Sequence, residues 1–138
     1  MNRNDFQELA RLRLEEAKVL RDNGKFAGAY YLAGYSTECA LKACIAKRTR
    51  SEEFPPKPKV VNKYYTHDLA SLMVAAELKP KLDARSQNDK DFENSWSIVE
   101  QWNEDSRYDT DSEHKARELI ETTENQAYGI LLWLQNFW

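Results

Sequence analysis

The chain has 138 residues, of which 20 are basic and 23 acidic, giving a formal net charge of −3. A chain of this length is typical of one domain, so residues 1–138 are expected to fold as a single unit. Leu and Ala occur 14 times each, whereas Gly and Pro occur only four times each. Because Leu and Ala favour helices and sheet proteins need frequent turn residues, this composition excludes most β architectures and predicts an all-α protein.

The hydropathy pattern and the cysteine spacing also bear on location. No stretch reaches the ~18 consecutive apolar residues of a membrane span, and the charged first residues do not resemble a secretory signal. Cys39 and Cys44 lie on one predicted helix. At that spacing they point roughly 140° apart, which disfavours a disulfide. We therefore expect a cytoplasmic protein with free thiols and no membrane association.

The first two predicted helices are joined by a short loop. The first covers about 4–22, with Asn4 as its cap and Gln7 in the capping-box position, and it ends at an Asp-Asn-Gly stop signal. The second covers about 25–49 and carries apolar or small residues almost all the way round, so it is predicted to be the buried central helix. The short connection predicts that the two helices run antiparallel.

Three further helices are predicted in the rest of the chain. A proline-rich connection covers about 51–65 and leads to a short third helix at about 67–79. A fourth helix follows at about 89–103, a polar joint at 103–112 and a last helix at about 111–137. Thr66 caps the third helix, and Pro80 lies just beyond its end. Thr110 and Glu113 form a capping box for the last helix. The expected fold is an up-down four-helix bundle with one additional short helix.

Charge is distributed unevenly along the chain. Residues 42–63 contain seven Lys or Arg and two Glu, a local charge of +5. Residues 88–113 contain nine Asp or Glu and two Lys or Arg, a local charge of −7. The basic stretch either attracts a phosphate or is a solvated helix end followed by a loop, and composition leaves both alternatives open.

No metal site and no cofactor are expected. His67 and His114 have no Cys or His at zinc-finger spacing, and neither has the Glu three residues earlier that di-iron bundle sites require. The acidic residues from Glu104 to Glu113 could hold a divalent cation, but they lack the spacing and the glycine of a calcium loop. A solvated, helix-capping role suits this segment better.

A stripe of polar and aromatic residues runs along the predicted central helix. Glu38 and Lys42 are four positions apart, and Tyr31 and Tyr35 precede them on the same side. If this stripe is buried, both charges need partners, because an unpaired buried charge is costly. Two interpretations remain: a packed structural pair, or polar groups that face a cleft or a second subunit.

Arg107 and His114 form the strongest catalytic candidate. A histidine can take a proton from a ribose 2′-hydroxyl or give one to the leaving 5′-oxygen. An arginine can bind the scissile phosphate with two parallel hydrogen bonds and offset its developing charge. In the alternative interpretation, Arg107 pairs with nearby acids and His114 is simply exposed at a helix start.

The order of these motifs resembles that of the HEPN domain family. The resemblance rests on GKFAGAYYLAGYSTECALKACIAK at 24–47, THDLASL at 66–72 and WNEDSRY at 102–108, and it covers nearly the whole chain. Its individual positions are Tyr35, Glu38, Leu41, Lys42, His67, Asp68, Leu69, Trp102, Arg107 and Tyr108. It implies a small helical bundle, a homodimer, and a minimal nucleotidyltransferase partner in a toxin–antitoxin or defence system.

The resemblance also implies two functions. Catalytic members are metal-independent endoribonucleases with an Arg-x(4–6)-His motif, which Arg107 and His114 match at its long limit. Tyr108 stands where nuclease members commonly have Asn, and Ala116 where one toxin subgroup has a modified Tyr, so the chain is also similar to binding or scaffolding members. For such a member, we expect a nucleotide or RNA ligand to contact Tyr31, Tyr35, Glu38, Lys42, His67 and Tyr108.

Overall fold

The computed structural model describes residues 1–49, 65–105 and 113–138. These residues form seven α-helices and contain no strand. The helices are α1 Arg3–Asp22, α2 Phe26–Arg48, α3 Leu69–Ala75, α4 Lys79–Asn88, α5 Lys90–Val99, α6 Glu113–Glu124 and α7 Ile130–Leu134. The all-α class predicted from composition is confirmed. Among the helices described, none has both the length and the apolar character needed to cross a membrane.

Helix α1 begins earlier than the sequence pattern suggested. Its capping box is formed by Asn2 and Asp5, not by Asn4 and Gln7. The Asn2 side chain accepts a hydrogen bond from the Asp5 N–H at 3.0 Å, and the Asp5 carboxylate accepts one from the Asn2 N–H at 2.9 Å. A carboxylate also complements the positive end of the helix dipole, which favours this pair over one ending in Gln.

Helix α2 is the central helix, as predicted. Its small residues are buried around most of its circumference. Gly24, at φ 75°, turns the chain so that α1 and α2 pack antiparallel. The Ser36 hydroxyl donates to the Ala10 carbonyl at 2.6 Å, and Gly28 faces the side chain of Leu20. The end of α1 therefore lies beside the start of α2, and the start of α1 lies beside later positions of α2.

The later helices extend along α2 in alternating directions. The Arg117 guanidinium of α6 lies over the ring of Phe26, at the start of α2, with 5.5 Å between them. Near the other end of α2, the Cys44 thiol lies 3.7 Å from the Leu134 carbonyl of α7. Helices α6 and α7 therefore follow the direction of α2.

Helix α5 runs the opposite way. At its start, the Phe92 ring packs edge-on against Trp133 of α7, with ring centres 5.2 Å apart. Beyond its end, Trp102 packs against Tyr31 of α2, with ring centres 6.0 Å apart. The chain between residues 92 and 102 thus returns toward the first half of α2.

Two cysteines are buried on α2 and form no disulfide, as their spacing predicted. Burial raises the pKa of the Cys39 thiol to about 11 and that of the Cys44 thiol to about 12. Both thiols are therefore protonated near neutral pH and pack as small apolar groups.

The region around Pro80 differs from the prediction. The third helix starts at Leu69 and ends at Ala75, and a further helix, Lys79–Asn88, occupies a stretch for which the sequence pattern predicts no helix. Pro80 lies in the first turn of α4, where its missing N–H has no helical partner to lose. Glu77, at φ 58°, makes the turn between the two helices.

The last predicted helix is interrupted. Asn125 accepts hydrogen bonds from the N–H groups of Ala127 and Tyr128, at 2.7 and 2.9 Å, and these bonds replace the helical ones. A Cβ on Gly129 would lie 2.3 Å from the Asn125 carbonyl oxygen, so glycine is needed where α7 begins. The helix predicted over 89–103 ends at Val99, and Thr110 lies outside the described residues.

The contact between Gly34 and Trp102 provides a test of this packing. A Cβ at Gly34 would lie 2.2 Å from the Trp102 ring, so Gly34→Ala must displace a buried indole. We expect Gly34→Ala to lower the free energy of unfolding by about 1–3 kcal/mol, despite the better helix propensity of Ala. Urea denaturation followed by circular dichroism measures this loss.

Gly28→Ala, on the same helix, is the matched control. There the added Cβ would lie 3.2 Å from the flexible tip of Leu20, and the free energy of unfolding should change by less than about 1 kcal/mol. Equal stabilities for the two variants would contradict the position of Trp102.

Candidate functional site: the Glu38 cluster

The carboxylate of Glu38 lies at the centre of the candidate site. It is 1% exposed and projects from the middle of α2. Its Oε1 is 2.7 Å from Nδ1 of His67, and its Oε2 is 3.2 Å from Nζ of Lys42. Both carboxylate oxygens therefore have a partner within the chain, which offsets the cost of burying the charge.

His67 connects Glu38 to a third part of the fold. Its other ring nitrogen, Nε2, lies 3.2 Å from Oε2 of Glu104. The histidine precedes α3 and Glu104 follows α5, so one imidazole joins both segments to α2. The side chains of His67 and Glu104 are each 44% exposed. We call Glu38, Lys42, His67 and Glu104 the Glu38 cluster.

Three aromatic rings lie along the same side of α2. The rings of Tyr31 and Tyr35 are stacked, with centres 6.2 Å apart and planes 12° apart, and Trp102 packs against Tyr31. Both tyrosines are partly exposed, whereas Trp102 is buried. Burial raises the pKa of Tyr35, with further contributions from Cys39 and Glu38, so its hydroxyl remains a donor near neutral pH. We call Tyr31, Tyr35 and Trp102 the aromatic strip.

Two buried polar atoms near the middle of α2 lack a partner. Among the described residues, Nε1 of Trp102 and Oγ1 of Thr37 are buried without a hydrogen-bond partner. Such atoms normally cost about 1–3 kcal/mol each. The packing of Trp102 over Gly34 is therefore maintained although its N–H group is not satisfied.

The geometry of the cluster does not suit a metal ion. Glu38 and Glu104 contact opposite nitrogens of the same imidazole, so their oxygens do not converge on one point. Within the described ranges, no group of three His, Cys, Asp or Glu side chains is arranged to hold a metal.

His114 lies in a different part of the molecule. Its side chain is 84% exposed, and its Nε2 lies 3.5 Å from the Glu118 carboxylate one turn further along α6. The same helix contacts α2 through Arg117 and Phe26. Glu38 lies three turns beyond Phe26, roughly 18 Å at 1.5 Å per residue. His114 and the Glu38 cluster are therefore separate sites on one chain.

The structure brings together most, but not all, of the residues that the sequence singled out. Glu38 contacts both Lys42 and His67, and Tyr31 and Tyr35 precede Glu38 by two turns and one turn, respectively. Arg107 and Tyr108 lie outside the described residues. The sequence argument did not find the contact of Glu104 with His67, because Glu104 stood out only as one acid among nine.

The comparison with known families covers nearly the whole chain. The family profile described as "HEPN domain" matches residues 4–136. The chain belongs to the HEPN family. No curated protein and no solved structure matches it. Membership in the HEPN family supports a function directed at nucleotides or RNA, either binding or ribonuclease activity, and confirms the resemblance found in the sequence.

Removal of one charge tests the Glu38 cluster. In Glu38→Gln, the amide keeps the side-chain volume but removes the negative charge between Lys42 and His67, and it leaves one oxygen to accept where the carboxylate has two. We expect the free energy of unfolding to fall by about 2–4 kcal/mol, measured by urea denaturation at neutral pH.

Glu100→Gln provides the control for that loss. Glu100 is exposed at the end of α5, and its substitution should change the free energy of unfolding by less than about 0.5 kcal/mol. A Glu38→Gln variant as stable as Glu100→Gln would show that the buried carboxylate does not hold the cluster together.

Proposed function

We propose that this HEPN protein binds single-stranded RNA or a nucleotide through the aromatic strip and the neighbouring cluster. The observation that carries the proposal is the stacked, partly exposed pair Tyr31 and Tyr35, which lies one turn from the charged side chains. Aromatic rings bind bases of any sequence by stacking, worth about 1–3 kcal/mol per base.

The roles proposed for the charged residues follow from their contacts. Lys42 provides a positive charge beside the tyrosines, the His67 imidazole lies on the other side of the Glu38 carboxylate, and Glu38 holds both of them in place from the buried side. The sequence adds Tyr108 to this set as a proposed ligand contact. A ligand phosphate would approach Lys42, whose side chain is 15% exposed. Because this contact with a phosphate is electrostatic, the affinity for the ligand should fall as the salt concentration increases.

The proposal includes a homodimer that acts with a minimal nucleotidyltransferase, in a toxin–antitoxin or defence system. This part is supported by membership in the HEPN family. Light scattering on the purified protein measures the oligomeric state, and a strict monomer would argue against it. Co-expression with the products of neighbouring reading frames tests for the nucleotidyltransferase.

Loss of one ring tests the binding site. Tyr31→Leu keeps an apolar side chain against Trp102 but removes the stacking surface, so affinity for a fluorescein-labelled single-stranded RNA should fall roughly 5- to 150-fold. Fluorescence anisotropy measures the affinity, and competition with ATP distinguishes RNA from a free nucleotide.

Tyr65→Leu is the matched control, because Tyr65 is 80% exposed and lies before α3. It should bind RNA as the unmodified protein does. If the unmodified protein binds neither RNA nor ATP, or if Tyr31→Leu and Tyr65→Leu bind equally well, the aromatic strip is not the binding site.

A second candidate function is favoured by the exposure of His114. A general acid or base must reach its substrate, and the His114 imidazole is 84% exposed with one long contact to Glu118. With Arg107 on the scissile phosphate, His114 would either remove the 2′-hydroxyl proton or protonate the departing 5′-oxygen. Attack of the 2′-oxygen on phosphorus would break the bond from phosphorus to the 5′-oxygen and leave a 2′,3′-cyclic phosphate and a 5′-hydroxyl, with water taking the other proton transfer and no metal required.

The test of this second function is RNA cleavage in EDTA. If it is correct, His114→Ala and Arg107→Ala should each lower the cleavage rate by at least about 100-fold, because each removes a group that acts in the transition state. Lys115→Ala, at the exposed position next to His114, should cleave at the original rate. Absence of cleavage by the unmodified protein, or equal rates for all variants, would exclude the nuclease.

A further inference from the structure

The imidazole of His67 lies between two carboxylates. Nδ1 is 2.7 Å from Glu38 and Nε2 is 3.2 Å from Glu104, so both nitrogens are within hydrogen-bond distance of an oxygen. Ionised carboxylates only accept hydrogen bonds, and a neutral imidazole carries a single N–H. The contact to Glu38 is a hydrogen bond and the contact to Glu104 is an ion pair. Only the imidazolium, with an N–H on each nitrogen and a positive charge, attracts both carboxylates, so loss of one proton must weaken one of the two contacts.

We infer that His67 is a proton-dependent positioning residue, which ties the turn after α5 to buried Glu38 when protonated and releases Glu104 when neutral. This inference rests on the geometry of the Glu38 cluster and does not depend on the proposed RNA binding. It concerns the attachment of residues 103–105 to the rest of the fold.

The two carboxylates differ in how well they tolerate loss of the contact. Glu38 is buried and has no access to water, so its oxygen depends on the remaining N–H of His67. Glu104 is 44% exposed and can exchange the imidazole for water. The neutral form of His67 therefore keeps its proton on Nδ1, toward Glu38, and it is the contact with Glu104 that breaks.

The other charged groups around His67 do not change this order. Among the described residues, Lys42 faces the second oxygen of Glu38 from α2, and Asp68 accepts a hydrogen bond from the Ser71 hydroxyl. Lys42 contacts Glu38 in either protonation state of His67. The contact with Glu104 is thus present when Nε2 of His67 carries a proton, and it is lost when a rise in pH removes that proton.

The released turn directly follows Trp102, which provides a reporter. The Trp102 indole is buried against Gly34 and Tyr31. Trp102 is two residues before Glu104 in the chain. A change in the attachment of Glu104 should shift the indole N–H resonance.

The experiment is a pH titration by NMR of the full chain labelled with ¹⁵N. The ring nitrogens of His67 and the Trp102 indole N–H, assigned with Trp102→Phe, should shift with the same midpoint. The neutral His67 should carry its proton on Nδ1. In His67→Gln the pH-dependent shift of the indole should be lost.

Glu104→Gln is the decisive variant. A Gln amide can accept from the imidazolium or donate to the neutral Nε2, so the contact should persist in both states. His67 should still titrate in this variant while the indole stays unchanged. His114→Gln removes the other histidine of the chain and should leave the coupled shifts intact.

Four outcomes would overturn the inference. The first is that the His67 ring nitrogens show no titration between pH 5 and 9, and the second is that they titrate without a shift of the Trp102 indole resonance. The third is that neutral His67 carries its proton on Nε2. The fourth is that the pH-dependent indole shift persists in His67→Gln or in Glu104→Gln. None of these measurements uses RNA or ATP, so failure of the proposed function and failure of this inference can be distinguished.

Discussion

Burial of one carboxylate, that of Glu38, constrains the rest of this fold. A charge in the centre of an apolar helix is stable only if donors reach it, and here they come from the same helix and from the segment before α3. That second donor, His67, also contacts Glu104 and so holds the segment after α5 in place. Two segments far apart in the chain are therefore held at one point of α2.

The same constraint organises the candidate site. Because Glu38 occupies the inner side of the cluster, Lys42 and His67 are held toward the partly exposed side, next to the stacked tyrosines. His114 lies on α6 beyond the start of α2, and its exposure gives it a different chemical character. The described part of this chain therefore contains two chemically different candidate regions, one built from internally paired charges and aromatic rings, and one accessible to solvent.

Local patterns predicted the fold well where local physics decides it. The apolar surface of α2, the antiparallel pairing of α1 and α2, and the stop at Gly24 were all correct, since they depend on helical periodicity and on one backbone conformation. The errors occurred at boundaries. Pro80 starts a helix instead of following one, and Asn125 and Gly129 divide the last helix. Pro is compatible with both alternatives at position 80, whereas the break after Asn125 comes from side-chain hydrogen bonds that the apolar periodicity does not reveal.

The sequence by itself determined the helical class, the identity of the buried helix and the membership in the HEPN family. These properties depend on composition and on the spacing of neighbouring residues. It also identified Glu38, Lys42, His67 and His114 as chemically notable. Only the tertiary structure decided that Glu38 and His67 are paired, that Glu104 completes the cluster, and that His114 lies apart from it. These contacts depend on the paths of the segments between helices, and no periodic pattern within a helix encodes those paths.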